Sequence, residues 1–551
     1  MKQTKKLMAL VIAMVMMVAM GVTVFAAGDK KITLTGGKAG HTYTLYQIFT
    51  GTYDATSGEL KNLQWGDDAN AAYKAAYATA AAAALEIHDV NDARATAQQL
   101  VANSYLGDGT GNTLTADGDV VFENLDEGYY VIIDTNGNTT PVEGDYSSAY
   151  IVQVVKDVNG AIKGSGVTSD KEVLDSTGTA ATSDAAAYNI GDAVPFNLKA
   201  TTADNAANYR QYHITFQDKL SNGLTAPDSY TVTVLGKTFT VPATGNDPAA
   251  QTTENGTVIT VTKVTPETDY SFAIKVEFTQ ENPTRVDQEI TSYLNGEVNS
   301  KLIVVSYSAT LNDNAVVGLP GNDNDFHVTY SNNPEDADGG DEGKTPEDKV
   351  KVFTYKTVID KVDPEGTPLN GAGFTIYQEV PAGTEGAQTG AAIKTALGST
   401  INATALVDAK YYVAKGMTTV SGNNAQFEFK GLADGTYVLV ETTIPTGFNA
   451  FNSVQFTISS EVTDTGITTL TGTDPFNTTN KGENGAVTAT KKDGSTHSLN
   501  SGELYAEIEN NSGNTLPSTG GIGTTIFYVI GAILVIGAGI LLVTRRRMSA
   551  N

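Results

Sequence analysis

Near the C-terminal end of this 551-residue chain, three side chains that seldom face a hydrophobic core are expected to do so together. In "FKGLADGTYVLVETTIPTGFN", Glu441 has the strand parity of Tyr437 and Leu439, so alternation turns its carboxyl toward the apolar face. An ionised carboxylate there needs a partner, or takes up a proton as desolvation raises its pKa. In "VFTYKTVIDKVD", Lys361 shares the face of Phe353, Tyr355 and Ile359, whereas Lys356 and Asp360 point the other way. In "LYAEIEN", Asn510 shares the face of Leu504, Ala506 and Ile508.

A second trio lies upstream. Lys171 shares parity with Val167 and Val173, and Asp218 in "YHITFQDKLSNGL" shares it with Ile214, Phe216 and Leu220. Asn332 in "FHVTYSNNP" shares it with Phe326, Val328 and Tyr330, with Asn333 as the neighbouring alternative. His213 has the opposite parity and is expected at the surface. A third carboxyl, Asp134 in "EGYYVIIDT", sits where Glu441 sits in "DGTYVLVET"; Lys30 or Lys31 begins that module's first strand, but no convincing terminal asparagine follows.

The elements that must position these groups are mainly strands. Runs of β-branched and aromatic residues such as "YTVTVLGKTFTV", "FAIKVEF" and "LIVVSYSATL", broken by Gly, Asn and Asp, recur from residue 116 onward. The two later modules lack helical patterns, so antiparallel sandwiches are expected. Residues 67 to 106 differ: "DDANAAYKAAYATAAAAALEIHDV" reads as an alanine-rich helix and "NDARATAQQLVANSYL" as a second, packed as an insertion across a sheet face.

The ends and the composition bound the rest. Lys2, Lys5 and Lys6 precede an apolar run ending in Val24-Phe25-Ala26-Ala27, a secretory signal cleaved near Ala26. Residues 522–543 form an uninterrupted apolar run of about 33 Å as a helix, enough to cross a bilayer, followed by Arg545, Arg546 and Arg547. A net charge of −27 leaves no basic face for nucleic acid. The exported chain has no cysteine to staple it. Its five histidines lack metal-ligand spacing and no Gly-x-Ser-x-Gly elbow occurs, so neither an enzyme nor a cofactor or metal site is expected. The segment around Asp336, Asp338 and Asp341 lacks the ligand order of an EF-hand and reads as a solvated linker.

Leu516-Pro517-Ser518-Thr519-Gly520, then the apolar span and the basic tail, resembles the LPXTG sorting signal of Gram-positive surface proteins. That resemblance implies cleavage between Thr519 and Gly520 by a sortase cysteine, which holds the threonine as a thioester until an amine resolves it. The string Tyr437-x-Leu439-x-Glu441-Thr442-x-x-Pro445-x-Gly447-Phe448 is similar to the E-box of collagen-adhesin B-type domains, with Phe448 where tyrosine is more usual. In such domains a first-strand lysine and a last-strand asparagine join as an intramolecular isopeptide bond. Burial gives a neutral amine, a protonated acid shuttles protons and ammonia leaves. The resemblance implies Lys361–Asn510 with Glu441 as catalyst. The upstream trio resembles the A-type variant, in which aspartate replaces glutamate, implying Lys171–Asn332 with Asp218.

"GHTYTLYQIFTG" and "LQWGDD" look like the N-terminal domain of backbone pilins, and the whole chain resembles the major pilins of sortase-assembled Gram-positive pili. The resemblance implies a cell-surface, wall-attached subunit polymerised by joining Thr519 of one copy to a lysine of the next. Lys163 matches that acceptor in position, although Ala161-Ile162-Lys163-Gly164 departs from the Tyr-Pro-Lys-Asn often found; Lys156 is the alternative. Implied partners are identical subunits, a pilin-specific and a housekeeping sortase, and peptidoglycan, with minor pilins and host ligands beyond them. A monomeric wall-anchored adhesin is the alternative function.

The expected organisation is mainly β, with tandem immunoglobulin-like sandwiches of the A and B types. It comprises a signal over 1–26, an N-terminal domain with helical insertion over 27–165 and a middle domain over 166–334. An acidic linker over 335–349, a C-terminal domain over 350–513 and the sorting signal over 516–551 complete it.

Overall fold

The structure is a computed structural model. It describes residues 28–513, apart from 58, 87–96, 98–99, 102, 108–112, 116–117, 137–147, 163–165, 176–181, 284, 287–288, 291, 333–341, 418–424 and 481–486, together with 529–540 and 545. It divides into two compact units, the first ending at Thr354 but also taking in Glu461–Thr468, the second formed by the rest from Tyr355 onward, and strands dominate both.

The first unit holds two separate sets of cores. Residues 30–162 build one small sheet on Lys30–Gly37, flanked by Gly118–Leu125 and Val158–Ala161, and a second sheet ordered Glu59–Trp65, His41–Asp54, Gly128–Asn136, Ser148–Val154. The alanine-rich stretch is broken into two short helices, Ala71–Ala76 and Ala80–Glu86, because the backbone is already extended at Tyr77. Asn70 caps the first, its side chain accepting from Tyr73 N. Ala80, Ala83 and Ala84 pack with Phe49, Tyr129 and Val131, so the insertion does cover a sheet face. Most of the expected second helix lies outside the described residues.

Residues 167–353 form a sandwich. One sheet runs Thr182–Ser183, Thr168–Leu174, Ala193–Thr201, Leu302–Leu311, Ser229–Val234, Lys237–Pro242. The other runs Ala185–Ala187, Asp348–Phe353, Asn322–Ser331, Tyr212–Leu220, Phe272–Gln280, Thr257–Val264, Ala249–Thr252. Alternating Val, Ile, Phe and Tyr from both sheets fill one continuous core.

The end of this module departs from expectation. The first stretch after Asn332 falls outside the described residues, but Glu342–Lys344 and Asp348–Phe353 both pair with Asn322–Ser331. Residues 342–353 are therefore strands of the middle sheet, not linker or first strand of the next module. Val350, Val352 and Phe353 are fully buried there, and apolar burial outweighs the acidic composition that suggested a solvated segment. The added strand also covers His213, which is buried with Nε2 2.8 Å from Glu342 Oε1 rather than surface-exposed.

The second unit is also a sandwich. A three-stranded sheet is ordered Gln426–Leu432, Tyr355–Val362, Glu503–Glu509. It faces a larger sheet in which Tyr411–Met417, Gly373–Val380, Gly435–Thr443 and Val454–Thr463 are successive neighbours. Two expectations fail here. The helix Gly390–Leu397, capped by Thr389, interrupts the strands, and the first and last strands pair in parallel, Lys361 opposite Ile508. Parallel pairing is reached because nearly the whole module separates the two strands, leaving room for the crossover that such pairing requires.

The boundary can be tested by fragments. Residues 166–354 are expected to unfold cooperatively. A fragment ending at 334 lacks Val350 and Val352, each contributing about 1.5–3 kcal/mol by burial, and leaves a bare strand edge; its melting temperature should fall sharply or its transition vanish.

Candidate functional site: two buried lysine–acid–asparagine clusters

Each sandwich holds a lysine amine, a carboxyl and an amide in its core, at different positions relative to the sheets. In the middle module Lys171 projects from one sheet, while Asp218 and Asn324 project from adjacent strands of the other. Lys171 Nζ is hydrogen-bonded to Asp218 Oδ2 and donates to Asn324 Oδ1 at 2.8 Å. All three residues are fully buried. Rings of Phe196 and Phe326 flank the amine, with centroids 5.8 and 5.6 Å away. Burial pushes the Lys171 pKa down and the Asp218 pKa up, both toward the neutral pair of amine and carboxylic acid.

Asn332, expected to be the amide partner, is not in this cluster. It lies eight residues (332 − 324) beyond Asn324, about 26 Å along the strand at ~3.3 Å per residue. Both share parity, so alternation could not separate them; register does. Leu220 pairs with Asn324, Asp218 with Phe326, and Ile214 with Tyr330, which carries Asn332 beyond the last paired residues, at the opposite end of the strand from Asn324. Aligning the apolar blocks of the two strands was the signal that could have found Asn324. Asn333 lies outside the described residues.

In the C-terminal module Lys361 and Asn510 come from neighbouring strands of one sheet, and Glu441 faces them from the other. Asn510 Nδ2 donates to Glu441 Oε1 at 2.7 Å and Oε2 at 3.0 Å, and Phe451 N donates to Oε2 at 2.8 Å. Lys361 Nζ donates to Ile508 O at 2.9 Å and Val362 O at 3.2 Å. Asn510 Oδ1 is buried with no hydrogen-bond partner among the described residues. Burial lowers the Lys361 pKa to about 8 and raises that of Glu441. The arrangement can therefore present a neutral nucleophile, a proton-bearing acid and an amide electrophile together.

Asp134 of the first module is fully buried but faces His41, whose Nδ1 lies 2.6 Å from Asp134 Oδ1. Lys30 is directed to Asp29 and Glu127 at 3.3 and 3.7 Å. Lys156 is half-buried in the turn before Val158–Ala161. Lys163 and the sorting residues Leu516, Pro517, Ser518, Thr519 and Gly520 lie outside the described residues, as does part of the apolar run 522–543. Among the described residues no helix is long and apolar enough to cross a membrane; of that run, 529–540 is helical with Ile533, Leu534 and Val535 exposed.

The Lys361 environment makes a pH prediction. In Asn510→Ala, which removes the amide, lysine NMR is expected to show titration near pH 8 instead of 10.5. Between those values the unfolded chain holds a proton that the folded chain does not, so this group's contribution to stability rises with pH through that window and is least favourable below pH 8. A titration at the ordinary lysine value contradicts the site as described.

Family models match two parts of the chain. Residues 356–474 match the SpaA prealbumin-like fold domain, and residues 508–549 match the LPXTG cell wall anchor motif. The trypsin-resistant surface T6 protein of Streptococcus pyogenes serotype M6 is 31% identical over 276 residues, 44% of this chain and 48% of the relative. The match thus spans about half the length of that curated relative. Among solved structures, the T6 backbone pilin of Streptococcus pyogenes superposes with a TM-score of 0.48 at 18% identity, covering 89% of this chain and 100% of that one. The major pilin SpaD of Corynebacterium diphtheriae gives 0.43 at 15%, covering 88% and 98%. The chain thus carries an LPXTG wall-anchor motif behind a SpaA-type prealbumin-like domain whose matched residues include Lys361 and Glu441.

Proposed function

We propose that this chain is the structural backbone subunit of a covalent surface pilus, internally crosslinked by Lys171–Asn324 and Lys361–Asn510. The observation that carries the reading is the paired burial of lysine, acid and amide in two successive sandwiches of a cysteine-free chain that bears a wall-anchor motif. In each cluster the neutral lysine amine attacks the asparagine Cγ, the acid relays protons, and ammonia leaves as the new amide forms. Asp218 and Glu441 are the acids.

Closing loops of 153 and 149 (510 − 361) residues, each bond removes about 5 kcal/mol of unfolded-state freedom in the chain-entropy account. The bonds also carry tension across a fold that has no disulfide. Lys171–Asn324 ties one sheet to the other; Lys361–Asn510 ties the first strand to the end of the last. Both suit a fibre pulled from its ends.

Polymerisation follows from the sorting signal. A pilin-specific sortase takes the Thr519 carbonyl as a thioester with loss of the Gly520 amine, and the Lys163 amine of the next subunit displaces the enzyme. A housekeeping sortase joins the last subunit to peptidoglycan. The apolar run 522–543 holds the chain at the membrane until cleavage, and minor pilins and host ligands are further partners of such a fibre.

Intact mass tests the internal bonds. The mature chain is expected about 34 Da below its sequence mass, one ammonia of about 17 Da for each bond. Lys171→Ala, Asn324→Ala, Lys361→Ala and Asn510→Ala should each abolish one loss, after correction for the substitution, whereas Asn332→Ala should abolish none. An unshifted parent mass refutes the crosslinks.

Polymer is tested separately. Boiled detergent extracts of cells bearing the parent chain should show a ladder, and Lys163→Ala should reduce it to one size. A single band from the parent identifies a monomeric wall-anchored adhesin; a ladder that survives Lys163→Ala assigns the acceptor elsewhere.

A further inference from the structure

The two clusters differ at the leaving nitrogen. In the C-terminal module Asn510 Nδ2 donates directly to the Glu441 carboxyl, so that acid can deliver a proton to the departing amide nitrogen without an intermediary. In the middle module no hydrogen bond joins Asp218 to Asn324 Nδ2 among the described residues. Asn324 Nδ2 instead donates to Tyr307 Oη at 2.7 Å, and Tyr307 Oη lies 3.1 Å from both Asp218 Oδ1 and Oδ2. The hydroxyl stands between the acid and the nitrogen that must leave.

Tyr307 is held there by the core. It projects from Leu302–Leu311, in the same sheet as the Lys171 strand. Its ring stacks on Phe196 with centroids 5.3 Å apart and meets Phe272 edge-on at 5.2 Å and Tyr230 at 6.0 Å. A phenol so packed has little freedom to turn elsewhere, and its hydroxyl can accept one proton while donating another.

Resting on the reading of this cluster as an amide crosslink, we propose that Tyr307 is a catalytic proton relay that carries the proton from Asp218 to the departing nitrogen of Asn324. The steps balance. Lys171 Nζ forms its bond to Asn324 Cγ as the carbonyl π pair moves to Oδ1, and Nζ gives one proton to Asp218 Oδ2. Asp218 passes its own proton from Oδ1 to Tyr307 Oη, which passes its hydroxyl proton to Nδ2. The Oδ1 pair returns, the Cγ–Nδ2 bond breaks with its pair on nitrogen, and ammonia departs. Asp218 and Tyr307 end as they began, and no oxidant or further reactant is needed. The C-terminal module has no need of such a relay, because its acid already touches the nitrogen.

The test is Tyr307→Phe in the full chain, translated in a cell-free system and followed by intact mass over time. The parent is expected to lose two ammonias. Tyr307→Phe should lose the C-terminal one at the parental rate and the middle one roughly 10²-fold more slowly or not at all, the range expected for a lost acid–base group. Loss of both at parental rates overturns the relay. Asn324→Ala marks the middle step: if the parent and Asn324→Ala lose the same number, no middle crosslink forms and the reading beneath the relay fails instead. Should Tyr307→Phe not fold, 3-fluorotyrosine introduced at position 307 alone keeps the shape and alters the acidity. A changed rate for the middle step supports the relay, and an unchanged rate overturns it.

Discussion

The rest of the molecule depends on the cost of an amine and a carboxyl inside an apolar core. Two charges removed from water are stabilised only if geometry and hydrogen bonding are close to complete, and otherwise both groups neutralise. Lys171 with Asp218 and Lys361 with Glu441 are pushed toward neutrality by burial, which converts a structural penalty into reactivity. A neutral amine is a nucleophile and a protonated acid a proton source. The same desolvation that makes these side chains expensive to bury makes them able to join.

The two sandwiches solve the positioning differently. In the middle module the lysine and amide belong to opposite sheets, and the acid sits on the strand beside the amide. In the C-terminal module lysine and amide are neighbours across a parallel strand pair, and the acid comes from the facing sheet. Aromatic rings wall the first cluster; backbone carbonyls hold the second amine. The crosslinks proposed for these two clusters would stiffen different directions, one between sheets and one between strands, in a chain that has no disulfide.

Much of this was readable beforehand because strand alternation is a local rule. Parity put Lys171, Asp218, Lys361, Glu441 and Asn510 on inward faces, and each is buried. The same rule was blind to which of several same-face asparagines would meet Lys171, since residues 324 and 332 differ by an even number. It was equally blind to Tyr307, which reads as one more core aromatic in "LIVVSYSATL" until the facing sheet supplies Asp218 and Asn324. Composition misled over residues 342–349, expected as a solvated linker, and residues 350–353 were expected in the next module, whereas Val350 and Val352 complete the middle core.

What the chain determines by itself is what period-two patterning and a terminal motif can encode: strand-rich modules, inward lysines and carboxyls, and a wall-anchor motif. Tertiary structure decided the pairings. Register along Tyr212–Leu220 and Asn322–Ser331 selected Asn324, the fold-back of residues 342–353 set the module's edge, and the packing of two sheets brought a tyrosine hydroxyl between an acid and an amide. Register and sheet packing depend on contacts between residues far apart in the chain, and the local spacing of residue types does not contain them.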